Sequence, residues 1–174
     1  MSIIPTMIEV KVDAVRMSLM SPGQQVVILK AADSERYLPI FVGKPEGDAI
    51  ILHLREEEAT RPLTHDLALQ VLENLQGSLS HVLISELRNN HFHAQVVVQV
   101  KRDDASTDEG TEVTMDARPS DAIALAIRAR CAIFVDEDVM EVAAVHPLQD
   151  EAASNLGAFE DFLDSLDFDD LDKS

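Results

Sequence analysis

One segment constrains the fold more than any other. It is Arg118–Arg128, RPSDAIALAIR, in which a charged and polar start runs into six consecutive apolar residues. Pro119 suits the first position of a helix, where no N–H is needed, and Asp121 falls in the first turn, where its charge meets unpaired N–H groups. Because the apolar run contains no polar side chain, this helix has to be covered on nearly all sides. The sequence therefore predicts a buried helix whose polar start, with Arg118, Ser120 and Asp121, lies where a site could form.

Strands that would cover such a helix are predicted along most of the chain. MIEVKVDAVR (7–16) alternates apolar and polar residues almost perfectly, which is typical of a strand with one buried face. Further strands are predicted at 24–31, 37–42, 79–87, 92–100, 111–117 and 132–135. Pro39 places the third strand at an edge or a bulge. We therefore expect an α+β fold, mainly antiparallel, with three main helices packed against the sheet or sheets: one from Ala49, one after an N-cap at Thr64, and the Arg118 helix.

Length and composition place the chain in a broad class. A chain of 174 residues with 46% apolar residues can bury one core, and we predict a domain at 1–145 followed by an acidic, partly helical or mobile tail at 146–174. No apolar run is long enough for a bilayer, and MSIIPTMIEV lacks the pattern of a signal peptide, so we expect a cytoplasmic protein without a membrane partner. The single cysteine, Cys131, excludes an internal disulfide and a cysteine-based zinc site.

The charge of the chain bears on its partners. A formal net charge of −18 repels phosphate backbones, so a metal ion or a local basic patch would have to overcome it before nucleic acid could bind. Nine acidic residues lie in the last 25 positions, where AFEDFLDSL also spaces apolar residues as a helix would. The tail is interpreted either as a mobile, solubilising end or as an amphipathic segment that docks on the body or on a protein partner.

An internal repeat links two parts of the chain. DAIILHLR (48–55) matches DAIALAIR (121–128), and each copy follows a predicted strand, a basic residue and a proline. The first copy has one extra residue between the proline and the aspartate. If the two helix starts face each other, Asp48 and Asp121 lie close together, with Glu46, His65 and Asp66 as neighbours.

Carboxylates grouped with a histidine at helix starts suit a divalent cation. Such oxygen-rich clusters hold Mg²⁺ or Mn²⁺ for phosphoryl chemistry, so we predict Glu46, Asp48 and Asp121 as metal ligands. Arg61 and Arg118 each precede a proline and could bind a phosphate. The same residues also fit structural roles, as helix caps and ion-pair partners. The chain has no P-loop, Rossmann glycine pattern, H-E-x-x-H or G-x-S-x-G, which argues against nucleotide binding, zinc proteolysis and serine hydrolysis.

Several ordered motifs resemble a known family. LPIFVGKPEGDAI, TRPLTHDLALQVL, NNHFHAQVVV and ARPSDAIALAIR occur in this order, and together they make the chain similar to the bifunctional nuclease domain over roughly Met7 to Val142. The resemblance implies an α+β fold with antiparallel strands, homodimers, and nuclease activity on DNA and RNA. It supplies no settled catalytic set. The matching motifs contain Pro45, Glu46, Asp48, Arg61, Pro62, Thr64, His65, Asp66, Arg118, Pro119, Ser120 and Asp121.

Two functional hypotheses follow. The first is a metal-assisted phosphodiesterase: His65 or Asp66 activates water together with Arg118 and Asp121 as the catalytic set, and Arg61, Arg118 and Ser120 bind the nucleic-acid substrate. The second is a non-catalytic, dimeric binding or regulatory module whose acidic tail recruits a partner. The net charge favours the second hypothesis, and the resemblance favours the first.

Overall fold

The computed structural model of the protein describes residues 6–19, 21–57, 59–101 and 110–146. The strands are β1 Met7–Met17, β2 Gln24–Ala31, β3 Tyr37–Gly43, β4 Gly77–Arg88, β5 His91–Val100, β6 Thr111–Ala117 and β7 Ala132–Asp136. The helices are α1 Lys44–Leu54, α2 Thr64–Asn74, α3 Pro119–Ala129 and α4 Glu137–Ala143. None of these four helices has the length and apolar character needed to cross a bilayer. Residues 147–174, which hold nearly all of the predicted tail, lie outside the described residues.

The seven strands form one sheet in the order β3-β2-β1-β7-β4-β5-β6. Every neighbouring pair is antiparallel except β4 with β7. In each half of the sheet, three consecutive strands follow one another from the centre to the edge. The first half is β1-β2-β3 and is followed by α1, and the second is β4-β5-β6 and is followed by α3. The chain thus contains two βββα units with β7 between them, and the sequence repeat marks the helix of each unit. The α+β class and the mostly antiparallel sheet are confirmed, with four helices in the described residues where three main ones were expected.

Local chemistry explains two features of this sheet. Asn89 and Asn90 form the turn of the β4–β5 hairpin with φ of 50° and 59°, and asparagine is one of the few residues that tolerates this left-handed backbone. β3 lies at one edge of the sheet, which is where Pro39 can be accommodated without losing a ladder hydrogen bond.

The core lies between one face of the sheet and the helices. Alternate residues of β2 (Val27, Leu29) and β5 (Val96, Val98) belong to one buried cluster with α1, α3 and α4. Helix α3 is central to it, because Ala122, Ile123, Ala124 and Ala126 are all fully buried. This confirms the prediction of a buried helix, and its alanines let α1, α2 and the strands approach closely.

Two predicted helix starts are wrong. Helix α1 begins at Lys44, well before Ala49, because Pro45 fits its first turn and KPEGD forms that turn. Thr64 is the first helical residue of α2 and not its N-cap, which is Leu63. Since a leucine side chain accepts no hydrogen bond, Asp66 stabilises this start by reaching back, and its Oδ2 accepts from the Leu63 N–H at 2.8 Å.

Candidate functional site

The two repeat helices pack side by side and in parallel. Near their starts, Arg118 at the N-cap of α3 bonds to Glu46 in the first turn of α1. Near their ends, Nε2 of His53 on α1 donates to the carbonyl of Ile127 on α3 at 3.1 Å. The starts of α1 and α3 therefore meet at one end of the helix layer. His65, in the first turn of α2, reaches the same place.

Four side chains join there, and we call them the helix-start cluster: Glu46, His65, Arg118 and Asp121. Arg118 binds Asp121 through two bonds, from Nε to Oδ2 at 2.7 Å and from Nη2 to Oδ1 at 3.1 Å. Its Nη1 donates to Oε1 of Glu46 at 3.0 Å. His65 Nε2 lies 3.1 Å from Oδ1 of Asp121. One carboxylate, Asp121, thus holds both an arginine and a histidine.

The charges of the cluster stabilise one another. Burial, the largest single influence on Asp121, raises its pKa, but hydrogen bonds and charge from Arg118 and His65 outweigh it and leave the pKa below its usual range. The bonds to Asp121, and then those to Glu46, raise the pKa of Arg118. Asp121 is therefore ionised, and since a carboxylate only accepts, His65 is the donor of their hydrogen bond.

Exposure differs sharply within the cluster. The side chain of Arg118 is 64% exposed, whereas that of His65 is 14% exposed. The guanidinium of Arg118 thus lies at the surface near the starts of three helices, whose dipole ends are positive, while Glu46 and Asp121 offset its own charge. The imidazole of His65 is instead largely shielded from solvent.

Asp48 does not enter the cluster. Its carboxylate accepts from Nε2 of the buried Gln25 at 2.8 Å and from Lys44, one helical turn earlier. The hydrogen bond from Lys44, followed by that from Gln25, lowers the pKa of Asp48. The extra residue of the first repeat copy explains the difference, because Asp48 follows its basic residue by four positions and Asp121 by three.

Asp66 and Arg61 belong to a separate region. Asp66 Oδ1 accepts from Nε of Arg128 at 2.8 Å, and Arg61 lines a pocket of about 370 Å³ together with Asp66, Arg128 and His53. Burial, the largest influence, raises the pKa of Asp66, but bonds from the Leu63 N–H and Arg128 leave it lowered. Ser120, also predicted as a site residue, is buried and 7% exposed.

The arrangement bears on the predicted metal. In the described parts of the chain, no group of three or more histidine, cysteine or acidic side chains is placed to hold a metal ion. Between Glu46 and Asp121 lies the guanidinium of Arg118, which occupies the position a cation would need. So arranged, these residues do not fit an ion bound by three protein ligands, and Mg²⁺ or Mn²⁺ stays a prediction.

Two residues with important contacts were not among the predicted site residues. The side chain of Arg128 on α3 is only 5% exposed. It pairs with Asp66 on α2 and donates to the carbonyls of Ala124 on α3 and Ala49 on α1, so it links the three helices. Its signal was its position as the last residue of the repeat. Gln25 is 2% exposed, and its Oε1 has no hydrogen-bond partner among the described residues. A glutamine inside a buried strand was the only signal for it.

Comparison with known families gives one match over most of the chain. The model of the bifunctional nuclease domain matches residues 27–147. The chain belongs to the bifunctional nuclease domain family. The family resemblance is thereby confirmed, and the match contains the whole helix-start cluster. The chain is also similar to two proteins of Mycobacterium tuberculosis, Uncharacterized protein MT1877 of strain CDC 1551 / Oshkosh and Uncharacterized protein Rv1829 of strain ATCC 25618 / H37Rv. Each is 34% identical over 171 residues, which cover 94% of this chain and 97% of the relative.

Proposed function

We propose that the protein hydrolyses phosphodiester bonds of DNA, RNA or both, and that the helix-start cluster is the site. The observation that carries this proposal is that Asp121 binds both a histidine and an exposed arginine where three helices begin. Such a group can bind a phosphate and move a proton within one site. The family name supports the same reaction class.

Arg118 binds the scissile phosphate. A guanidinium has five N–H donors, and three of those in Arg118 are used by Glu46 and Asp121. One N–H on each Nη remains to meet a phosphate oxygen, and the positive ends of the helix dipoles add to the attraction. Glu46 and Asp121 hold the guanidinium from two sides, so its orientation is set before substrate arrives.

His65 is the base that activates water. Because Nε2–H donates to Asp121, the neutral ring carries its free lone pair on Nδ1, and within the described residues Nδ1 makes no hydrogen bond. Nδ1 accepts a proton from water as the water oxygen attacks phosphorus, the bond between phosphorus and the leaving oxygen breaks, and the leaving oxygen takes up a proton from solvent. Asp121 is a positioning residue that selects this tautomer and stabilises the imidazolium that forms.

The remaining predicted residues have other roles in this proposal. Arg61, near the surface pocket, contacts the backbone of a bound strand outside the reacting phosphate. Asp66 supports the site by fixing the start of α2, since its oxygens are engaged by Leu63 and Arg128. The net charge of −18 opposes binding of nucleic acid, so dissolved cations should assist it by screening.

The test is cleavage by purified full-length protein. End-labelled single-stranded DNA and RNA are incubated with the protein in Mg²⁺, Mn²⁺ or EDTA, and the comparison is between wild type, His65→Gln and His91→Gln. His91 is an exposed histidine at the start of β5, outside the cluster, and serves as the matched control. Loss of the base should lower the rate at least ~100-fold, whereas His91→Gln should not. Equal rates for wild type and His65→Gln would overturn the proposal, and the EDTA arm decides whether a metal is needed.

A non-catalytic, dimeric binding or regulatory module is the second candidate. The net charge of −18 favours it. The ion pairs of Arg118 with two carboxylates favour it as well, because such pairs also suit a residue that only stabilises the packing of the helices. If the protein is such a module, no arm of the assay shows cleavage. Light scattering then shows a dimer, and the acidic tail captures a protein partner.

A further inference from the structure

Helix α2 carries an apolar surface that the described residues leave uncovered. None of its residues is fully buried, and Leu67, Val71 and Leu75 are 56%, 50% and 68% exposed. The three follow one another at intervals of four residues, with Leu75 as the C-cap, so they form a single ridge along the helix. We call them the α2 ridge. Three large apolar side chains in one row are typical of a surface that another element covers.

The charges around the α2 ridge indicate what kind of segment can cover it. In a chain with a net charge of −18, the segment 67–76 contains one charged residue, Glu73. A cation is present near each end: Arg61 precedes the helix, and the N–H of Lys101 bonds to the carbonyl of Gln76. By contrast, the exposed pair Val113 and Met115 on β6 shares its strand with two acids, Glu112 and Asp116. Of these two apolar surfaces, the α2 ridge accepts an acidic segment with less repulsion.

An acidic segment with matching apolar residues occurs in the same chain. Phe159, Phe162, Leu163 and Leu166 fall on one side of a helix, and Glu160, Asp161, Asp164 and Asp167 fall elsewhere around it. This segment lies outside the described residues. The match to the relatives covers 94% of the chain, so it must extend into residues 147–174. Since about ten residues of this chain lie outside the match, it reaches at least to about residue 163 and includes Phe159 and Phe162.

The linker between the described residues and this acidic segment is long compared with the domain. The described residues end at His146. The residue before it, Val145, pairs with Tyr37 at the start of β3. Twelve residues separate His146 from Phe159, and the chain between these two can span about 45 Å when extended. A domain of this size has a radius of gyration of only about 14 Å. An extended linker is therefore about three times as long as this radius, so the segment can reach parts of its own domain that lie well away from His146.

We infer that residues 159–166 dock as an amphipathic helix on the α2 ridge of the same chain. Their apolar side chains cover Leu67, Val71 and Leu75, and their acids lie toward Arg61 and Lys101. Rows of side chains spaced by three and four residues interlock well between two helices, which suits both partners. The tail is thus an element of the domain surface and not a free appendage.

Hydrogen–deuterium exchange of the full-length protein tests this. The variants are Phe162→Gln with Leu163→Gln in the tail, Val71→Gln on the α2 ridge, and Val113→Gln on β6 as the control. Because all the changed body residues are exposed, the fold is retained. The tail variant should raise the exchange rate of α2 amides several-fold, and Val71→Gln should do the same for amides 156–168. Val113→Gln should alter neither, and dilution should have no effect.

Three results would overturn the inference. The first is an α2 exchange rate that is equal in wild type and the tail variant. The second is a tail that responds to Val113→Gln as strongly as to Val71→Gln. The third is protection of α2 that disappears on dilution, because the occupant would then belong to another molecule.

Discussion

Nε2 of His65 on α2 lies 3.1 Å from Oδ1 of Asp121 on α3, and the same oxygen accepts a hydrogen bond from Arg118. A single carboxylate therefore orients both the proposed base and the proposed phosphate-binding cation. Because the three residues act through one group, substitutions within this set should not be additive.

The geometry of Arg118 should matter as well as its charge. In Arg118→Lys the positive charge remains, but a lysine cannot bind Asp121 through two bonds and Glu46 through a third. We expect kcat/KM on single-stranded DNA to fall by roughly tenfold or more, about 1.4 kcal/mol of transition-state binding. Arg55→Lys, at the exposed end of α1, is the control and should leave kcat/KM unchanged. A fully active Arg118→Lys would show that the bidentate contact is not used.

The lowered pKa of Asp121 predicts a pH-dependent stability difference. Folding favours the ionised carboxylate, so its contribution is fully present above the unfolded pKa of about 3.9 and is lost as the pH falls through the folded pKa. Urea unfolding of wild type and Asp121→Asn should therefore differ most near neutral pH, and the difference should shrink below about pH 4. A difference that stays constant from pH 7 to pH 3 would contradict this.

Arg128 should be important for stability. Its side chain is 5% exposed and joins three helices through Asp66, Ala124 and Ala49. In Arg128→Met a partly buried ion pair is broken and two carbonyls lose a donor, and because the Asp66 side chain is 34% exposed we expect a loss of about 2–4 kcal/mol in the free energy of unfolding. Chemical denaturation measures it. Arg88→Met, which removes an exposed pair with Glu86, should cost less than about 1 kcal/mol, and equal losses would refute the assignment.

Gly47 is required because of its neighbour Gln25. A Cβ at position 47 would lie 1.9 Å from Oε1 of Gln25. Gly47→Ala should cost about 1–3 kcal/mol from overpacking, although alanine favours a helix by about 1 kcal/mol. Because Gln25→Ala removes the clash, the double variant should lose less stability than the two single variants together. Strict additivity in this double-mutant cycle would exclude the contact as the cause.

Much of the fold could be predicted because it depends on local patterns. Alternation and short apolar runs bounded by turn residues located all seven strands, and the apolar run after Asp121 identified the buried helix α3. The partners of individual side chains could not be predicted in the same way. The first repeat copy has one extra residue before its aspartate, and one residue corresponds to a rotation of about 100° around a helix. Asp48 therefore points in a different direction from Asp121, and it contacts Gln25. The three-helix role of Arg128 depends on packing between distant segments, which no local pattern encodes.

The two aspartates of the repeat allow the most direct test of the proposed site. Both lie in the first part of a D-A-I helix, but only Asp121 contacts His65 and Arg118, while Asp48 contacts Gln25 and Lys44. Cleavage of labelled single-stranded DNA and RNA should be measured for Asp121→Asn, Asp48→Asn and wild type in parallel. The proposal predicts that Asp121→Asn lowers the rate at least ~100-fold and that Asp48→Asn keeps it within about threefold. A wild-type rate in Asp121→Asn, or an equal loss in both variants, would contradict it.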